Sequence, residues 1–166
     1  GNERTPLDEE GLERAILELE GQVEALAVSG YFSVRNTDHE LRAKAMAQKL
    51  LPGVQVTCGH ELASDLDATK RATTASLNAG LIPIVMELLR SVEQVCAARG
   101  IQAPITVVRG DGSLVSAQWA SEHPIEMVLS GPASSACGAC FLAGAKEMGR
   151  ASWAADIGGT TTDIIH

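Results

Sequence analysis

The sequence predicts an α/β fold in which a mostly parallel sheet is covered by helices. Short runs of Ala, Val, Ile and Leu alternate along the 166 residues with longer segments of helical periodicity, and this alternation is typical of strand–helix–strand units. The hydrophobic fraction is 45% and the aromatic fraction only 3%, so the core is expected to be aliphatic. A chain of this length can bury one sizeable core, which favours one domain.

The first two helices are marked by the residues at their ends. Asp8 is expected to cap the first helix, whose first turn carries two glutamates that favour the positive end of the helix dipole. Gly21 follows the predicted end of this helix. The second helix is predicted to begin between residues 36 and 38 and to run to Leu51, where a Pro-Gly pair stops it.

The longest helix is predicted from about Thr73 to Arg99, and Gly100 ends it. Apolar residues recur along it every three or four positions, which is the helical period. These residues are Leu77, Leu81, Ile84, Leu88, Val92 and Val95. Pro83 is expected to kink this helix because it lacks an N–H and its ring crowds a preceding carbonyl. A further helix of small residues is expected to be capped by Ser130 or Gly131.

Four apolar segments are predicted to be strands of one sheet. They are Val23–Phe32, Val54–Cys58, Ile105–Arg109 and Ser152–Ile157. The last strand is followed by a short antiparallel return, Asp163–Ile165.

Charge and composition narrow the classes of partner. The net charge of −8 argues against nucleic acid or an anionic membrane as the partner. No uninterrupted apolar run reaches the ~18 residues that a bilayer span requires, so a cytoplasmic location is expected.

Four cysteines occur, at Cys58, Cys96, Cys137 and Cys140, and a chain of this size does not need disulfides. They are expected to be reduced. Cys137 and Cys140 have the spacing of a zinc or redox pair, but no second pair accompanies them. They are therefore interpreted as metal-free small side chains in a packed helix.

The segment from Asp156 to Asp163 carries the strongest chemical signal. Between two carboxylates it holds a pair of glycines and three threonines, Asp-Ile-Gly-Gly-Thr-Thr-Thr-Asp. Gly158 and Gly159 can take positive φ and let a ligand approach main-chain N–H groups, and the hydroxyls can donate to phosphate oxygens. The two carboxylates can hold Mg²⁺. The alternative is a simple hairpin turn, and the local chemistry leaves both interpretations open.

Four motifs in the same order resemble the hydantoinase/5-oxoprolinase family, within the actin, sugar-kinase and heat-shock-chaperone ATPase superfamily. Besides residues 156–163 they are Ser130-Gly131-Pro132-Ala133, the segment from Arg109 to Leu114, and the segment from Lys70 to Ala79. The similarity runs from about residue 23 to residue 166. One departure is Ser113, where the family commonly has a second glycine, so the loop at Asp111 is expected to be less open to a ligand.

The resemblance implies a ribonuclease-H-like layered sheet with helices on its faces, of which this chain holds an incomplete part. Residues 1–150 would belong to the N-terminal actin-like ATPase subdomain, and residues 151–166 would begin the second. The family's first phosphate hairpin would lie upstream of Gly1, so the chain is expected to be a fragment of a hydantoinase A-type subunit.

By the same resemblance, the parent protein would be an ATP- and Mg²⁺-dependent hydrolase of cyclic amides, in which phosphoryl transfer activates the ring for opening. Its partners would be the rest of the parent chain and a hydantoinase B-type subunit. Two alternatives remain open: an ATP-dependent ketone carboxylase subunit, and a domain that is purely structural when isolated. The isolated fragment is expected to be inactive.

The candidate site residues fall into four groups. Asp156 and Asp111 are the candidate catalytic residues, and Asp156 and Asp163 are the candidate metal ligands. The candidate nucleotide-phosphate contacts are Gly158, Gly159, Thr160, Thr161, Thr162 and Asp163. The candidate substrate contacts are Arg71, Asn78 and His60. The last three have structural alternatives, because Arg and Asn also serve as caps and interdomain contacts, and His60 can equally be a metal ligand, a general base or an exposed histidine.

Overall fold

The described strands form two-stranded sheets, and helices connect or flank them. The computed structural model describes residues 3–144 and 153–165, and they form a mixed α/β fold. The chain divides into two compact units. Unit 1 comprises Gly1–Val95 and Ser121–Ile125, and unit 2 comprises Cys96–Ala120 and Glu126–His166. The predicted subdomain boundary at residue 150 lies outside the described residues and stays a prediction.

Unit 1 contains one parallel pair of strands and several helices. In chain order they are α1 (Glu9–Leu17), β1 (Ala25–Val28), α2 (Asp38–Leu50), β2 (Gln55–Cys58), α3 (Gly59–Leu62) and α4 (Ala68–Ala98). Strands β1 and β2 are parallel, with Ala25 opposite Gln55 and Val28 opposite Cys58. Helix α2 connects them, as parallel strands require a crossover.

The aliphatic core of unit 1 lies between these strands and the first two helices. Its buried members are Ile16, Ala47, Leu51 and Val56, and burial of each larger side chain contributes about 1.5–3 kcal/mol. The predicted cap of α1 is confirmed, because Asp8 Oδ1 accepts the Gly11 N–H at 3.0 Å.

Unit 2 is built from two hairpins and a helix. Strands β3 (Thr106–Val108) and β4 (Leu114–Ser116) are antiparallel, as are β5 (Ala154–Ile157) and β6 (Thr162–Ile165). The helix of unit 2 is α6 (Ser130–Leu142). Two shorter helical elements, α5 (Ala117–Glu122) and a 3₁₀ helix (Pro124–Met127), lie where the chain passes through residues 121–125 of unit 1.

The prediction of one sheet is wrong, because the described strands form three separate two-stranded sheets. The reason is local turn chemistry. Asp111 and Gly112 reverse the chain after β3, with Gly112 at φ 82°, so β3 pairs with the strand that follows it. The first predicted strand, Val23–Phe32, is shorter than expected and spans Ala25–Val28. The predicted start of the last strand, Ser152, lies outside the described residues.

Helix α4 begins earlier than predicted because Asp67 caps it. The Asp67 carboxylate accepts the N–H groups of Thr69 and Lys70 at 3.0 and 3.1 Å. The predicted apolar stripe is mostly exposed, whereas a different stripe is buried. The buried residues of α4 are Arg71, Ala75, Asn78, Ala79 and Ile82.

Helix α4 is long enough and apolar enough to cross a bilayer. The sequence did not predict this, because charged and polar residues interrupt its apolar runs. The same criterion is met by core helices of soluble proteins, so it is weak evidence for a span. Pro83 lies within the helix, and the predicted kink there stays a prediction.

The four cysteines are free thiols. The prediction that Cys137 and Cys140 pack within α6 is wrong, because both are exposed and α6 has no buried residue. Every residue of α6 is exposed or half-buried. Helix α6 begins at Ser130, with Leu129 as its cap residue.

Candidate functional site

The β5–β6 hairpin places two carboxylates side by side. Asp156 is the cross-strand partner of Asp163 in the antiparallel register, so both side chains lie on the same face of the hairpin. Both residues are half-buried, whereas their neighbours Ile157 and Ile164 are exposed. Like charges directly opposite each other destabilise a strand pair. A cation between the two carboxylates would remove this repulsion.

The turn of this hairpin presents backbone and hydroxyl donors to solvent. Residues 158–162 are all exposed. The Gly158 N–H donates to Thr161 O at 2.9 Å, and a Cβ at position 158 would lie 3.4 Å from the same oxygen. The expectation of positive φ at Gly158 and Gly159 is wrong. Glycine at 158 avoids a tight contact between a Cβ and the Thr161 carbonyl oxygen, whereas a Cβ at position 159 would meet no atom within 4 Å.

Helix α6 holds the first of the two carboxylates. Ser135 Oγ donates to Asp156 Oδ2 at 2.6 Å, which fixes the orientation of the carboxylate. Ser135 was not among the predicted site residues. The available signal was its position one turn after Ser130-Gly131-Pro132, the segment that carries one of the four family-like motifs.

The loop that carries Asp111 is closed by its own hydrogen bonds. Asp111 Oδ1 accepts from Ser113 N at 2.9 Å and from Ser113 Oγ at 2.6 Å, and Arg109 lies 3.2 Å from Oδ2. The Ser113 bonds, with the Arg109 charge, hold the pKa of Asp111 below its ordinary value. Asp111 therefore stays ionised at neutral pH, and its role in catalysis stays a prediction.

Both predicted loops of unit 2 contact helix α6. Cys137 Sγ lies 2.8 Å from the point where a Cβ on Gly112 would be, and Ser135 binds Asp156. Glycine at 112 thus gives the helix room to approach the β3–β4 turn. The loop is also braced by Arg109, which bonds Glu126 and lies 5.1 Å from the centre of the Trp119 ring.

Arg71 is fully buried and joined to backbone carbonyls. Its guanidinium donates to Asp65 O at 2.5 Å, Gly30 O at 2.9 Å and Tyr31 O at 2.6 Å. The side chain thereby clamps the loop after β1, whose Tyr31 and Phe32 rings are exposed and lie 4.7 Å apart edge to face. A role of Arg71 toward substrate stays a prediction.

Asn78 is also fully buried, and both its amide nitrogen and its amide oxygen are hydrogen-bonded. Its Nδ2 donates to Thr57 Oγ1 at 3.1 Å and to Glu122 O at 2.9 Å, and its Oδ1 accepts the Ile125 N–H at 3.1 Å. These bonds attach the segment Ser121–Ile125 to unit 1. Its predicted contact with substrate likewise stays a prediction.

His60 lies against a buried carboxylate that sequence reasoning missed. His60 Nδ1 is 2.5 Å from Glu40 Oε2, which also accepts the His60 N–H at 3.0 Å. Glu40 is only 1% exposed. Burial alone raises the pKa of Glu40, but hydrogen bonds from the Gly30 and His60 amides and from the Ser33 and His60 side chains bring it below its ordinary value. Because Glu40 is ionised, Nδ1 of His60 carries the proton between them.

Cys58 completes this buried group. Its thiol lies 3.5 Å from the Glu40 carbonyl oxygen. Burial, with the nearby Glu61 carboxylate, raises the pKa of the Cys58 thiol to about 12. Glu61 accepts the Cys58 N–H at 3.0 Å and pairs with Lys44 at 2.7 Å. A signal for Glu40 was present in the sequence, since it shares one face of α2 with the buried Ala43 and Ala47 at helical spacing.

Comparison with known protein families and structures gives concordant matches. A model described as hydantoinase/oxoprolinase matches residues 71–166, and one described as the hydantoinase/oxoprolinase N-terminal region matches residues 1–51. The α subunit of caprolactamase from Pseudomonas jessenii is 35% identical over 99% of this chain. An uncharacterised protein from Methanocaldococcus jannaschii is 27% identical over 86% of the chain.

Solved structures agree with these matches. The crystal structure of the ATP-dependent caprolactamase from Pseudomonas jessenii superposes with a TM-score of 0.87 at 34% identity over 99% of this chain. The nucleotide-free structure of acetone carboxylase superposes with a TM-score of 0.74 at 20% identity, which is a likeness of fold. The chain spans 24% of the caprolactamase subunit and 21% of the archaeal protein.

Proposed function

Since the chain belongs to the hydantoinase/oxoprolinase family, we propose that its parent protein is an ATP-dependent hydrolase of cyclic amides. The observation that carries the proposal is the Asp156–Asp163 pair on one face of the β5–β6 hairpin, beside an exposed turn of glycines and threonines. The caprolactamase that this chain resembles is itself ATP-dependent. We further propose that the parent protein has a ribonuclease-H-like, actin-like ATPase fold and that this hairpin begins its second subdomain.

Asp156 and Asp163 are proposed to hold Mg²⁺, directly or through water. Their oxygen ligands suit this hard cation, which commonly takes one or two carboxylates together with substrate phosphates. The N–H groups and hydroxyls of the turn would donate to the phosphate oxygens of ATP. The donors are those of Gly158, Gly159, Thr160, Thr161 and Thr162. Ser135 orients Asp156 for this role, since its hydroxyl already bonds Oδ2.

The chemical task of the site is to place phosphate and neutralise charge. Transfer of the terminal phosphoryl group to the amide oxygen releases ADP and leaves a ring carbon that water attacks more readily than in the free amide. After water adds, the ring C–N bond breaks; a second water then displaces inorganic phosphate, which leaves with the former amide oxygen, and the products are an amine and a carboxylate. Such a transfer depends on positioning and on stabilisation of the developing charge, because the protein forms no covalent bond in it. Asp111 is proposed to act near the reacting groups, because the next residue, Gly112, approaches the helix that also binds Asp156.

The substrate and partners are proposed from the same relationship. We expect a small cyclic amide as substrate. Arg71, Asn78 and His60 are its proposed contacts. A hydantoinase B-type subunit is the expected partner, because the related caprolactamase chain is a subunit α. A cytoplasmic location follows from the need for ATP.

The test is cyclic-amide-dependent release of ADP by the full-length parent protein with its partner subunit. Caprolactam, hydantoin and 5-oxoproline are supplied in turn, with acetone and bicarbonate as the carboxylase pair. Asp163→Asn is expected to abolish the stimulated release, while Asp38→Asn, an exposed aspartate of α2, is the matched control and should leave it unchanged. Stimulation by acetone and bicarbonate alone would replace the hydrolase proposal with a carboxylase.

A further inference from the structure

A second cluster of reactive side chains lies in unit 1, whereas the residues assigned to phosphate belong to unit 2. Glu40 of α2, Cys58 at the end of β2 and His60 in α3 each offer one ligand atom, and these atoms lie within 4.8 Å of one another. Glu40 and Cys58 are buried, and His60 is largely so. We propose that Glu40, Cys58 and His60 form a binding site for a zinc-class divalent cation.

The donor set selects the class of cation. A carboxylate oxygen, a cysteine sulfur and a histidine nitrogen are the three ligand types that proteins use for Zn²⁺. Mg²⁺ and Ca²⁺ take oxygen ligands and do not favour sulfur. The cluster is therefore chemically distinct from the Asp156–Asp163 pair, whose ligands are oxygens alone. Three protein ligands leave a fourth position for water.

Charge balance also favours a divalent cation at this place. Glu40 is an ionised carboxylate with only 1% of its surface exposed, and isolated charges are costly to bury. A divalent cation together with one carboxylate and one thiolate has a formal charge of zero. The bound cluster would thus carry no net formal charge in the interior.

The surrounding hydrogen bonds can stay in place when the cation binds. The Gly30 N–H donates to Glu40 Oε1 at 2.6 Å, and the Cys58 N–H donates to Glu61. Such outer contacts orient metal ligands. The cation takes the position between His60 Nδ1 and Glu40 Oε2, with His60 in the tautomer that carries its proton on Nε2. The Cys58 thiol proton goes to solvent, so zinc binding releases protons.

The same atoms without a cation form a hydrogen-bonded pair of Glu40 and His60, and metal binding distinguishes the two states. The chain is stripped with a chelator and titrated with Zn²⁺ by calorimetry, and Co²⁺ serves as the spectroscopic probe. We expect one tight site per chain and a thiolate-to-cobalt charge-transfer band. At zinc about 100-fold above Kd, Tm should rise by roughly 5–10 °C.

Variants locate the site. Cys58→Ser is expected to remove the charge-transfer band and to weaken zinc binding by at least ~10-fold, and His60→Gln is expected to weaken it by a similar amount. Cys96→Ser is the matched cysteine control. His39→Ala is the matched histidine control, because His39 lies in an exposed group with Glu3 and Asp38 that could also collect a metal. Both controls should bind zinc as the wild type does, and circular dichroism confirms that every variant is folded.

Three results would overturn the proposal. One is a folded wild-type chain that binds no zinc tightly, which would leave Glu40 and His60 as a hydrogen-bonded pair. Another is a cobalt spectrum that Cys58→Ser does not change. The third is loss of binding in His39→Ala, which would assign the metal to the exposed group. None of these readouts involves ATP, so failure here and failure of the proposed hydrolase activity are distinguishable.

Discussion

Unit 1 buries several polar side chains, whereas unit 2 presents polar residues in the turns of its hairpins. Glu40, Arg71 and Asn78 are among the largest fully buried side chains of the described residues, and each is bonded to backbone groups. The turn of residues 158–162 is exposed, and α6 beside it buries no residue. We therefore expect substitutions of the buried polar residues of unit 1 to lower stability, and substitutions at the β5–β6 hairpin of unit 2 to lower activity.

Asp156→Asn offers the largest test of this contrast. In the parent protein with its partner subunit, we expect ATP turnover to fall by at least ~100-fold, because one preorganised charge near the transferring phosphate is lost. The amide oxygen can still accept hydrogen bonds, so the fold should be kept. Steady-state ATPase rates measure the loss, and thermal melting checks the fold. Near-normal turnover would mean that Asp156 only shapes the turn.

Asn78→Leu tests the other side of the contrast. The change leaves the buried Thr57 hydroxyl, the Glu122 carbonyl and the Ile125 N–H without their partner, which should lower the free energy of unfolding by about 2–4 kcal/mol. Urea denaturation of the chain measures this loss. Ser91→Ala, on the exposed side of the same helix, is the control and should cost less than ~0.5 kcal/mol. A loss below ~1 kcal/mol for Asn78→Leu would show that solvent or other groups replace its bonds.

Ser135→Ala sharpens the contrast within unit 2. Loss of the hydrogen bond to the Asp156 carboxylate should lower kcat of the parent protein about tenfold, the equivalent of one charge-assisted bond. If Ser135 positions the metal ligand, the Mg²⁺ concentration required for half-maximal turnover should rise as well. Ser134→Ala is a matched control, since Ser134 Oγ bonds only the Ser130 carbonyl of its own helix among the contacts described. Equal effects of the two substitutions would point to a general loss of helix α6.

Ser113→Ala should have the smallest effect. Because hydrogen bonds from Ser113 are the leading cause of the lowered pKa of Asp111, the substitution should raise that pKa toward the ordinary value. A lowered folded-state pKa contributes stability that is present above the unfolded pKa and is lost as pH falls through the folded pKa. NMR titration of the Asp111 carboxyl measures the change. An unchanged pKa would assign the shift to the Ser113 backbone N–H and the Arg109 charge instead.

Sequence reasoning succeeded where local signals decide the structure. Helix α2 has the predicted bounds within about a residue because Pro52 and Gly53 end it, and β5 and β6 pair as expected around the Gly-Gly turn. At β3, the long-range expectation of one sheet prevailed over a local Asp-Gly turn signal that favoured a hairpin. The predicted strand pairing is therefore wrong, although the Asp-Gly pair stands close behind the predicted strand.

Glu40 and Arg71 were missed as buried partners for a different reason. Charged residues are almost never fully buried unless paired, so Glu40 was not predicted to be buried, and Arg71 was predicted to be a substrate contact, a cap or an interdomain contact. Both bond backbone groups of Gly30 in the loop after β1, and a backbone group carries no mark in the sequence. The exposed stripe of α4 was misjudged likewise, because periodicity identifies an apolar face but not what covers it.

Asn78 has a consequence for the order in which the chain folds. It accepts the Ile125 N–H, so unit 1 draws on a segment that is synthesised only after residues 96–120. Domains of a growing chain generally fold from the N-terminus onward, yet a ribosome that has completed Val95 has not supplied the partners that Asn78 requires. The loop from residue 78 to residue 125 must close before the unit is finished, at an entropic cost that grows slowly with loop length. Folding of unit 1 during synthesis should therefore be completed only once residue 125 has left the ribosomal tunnel, and a chain cut after Val95 should fold poorly.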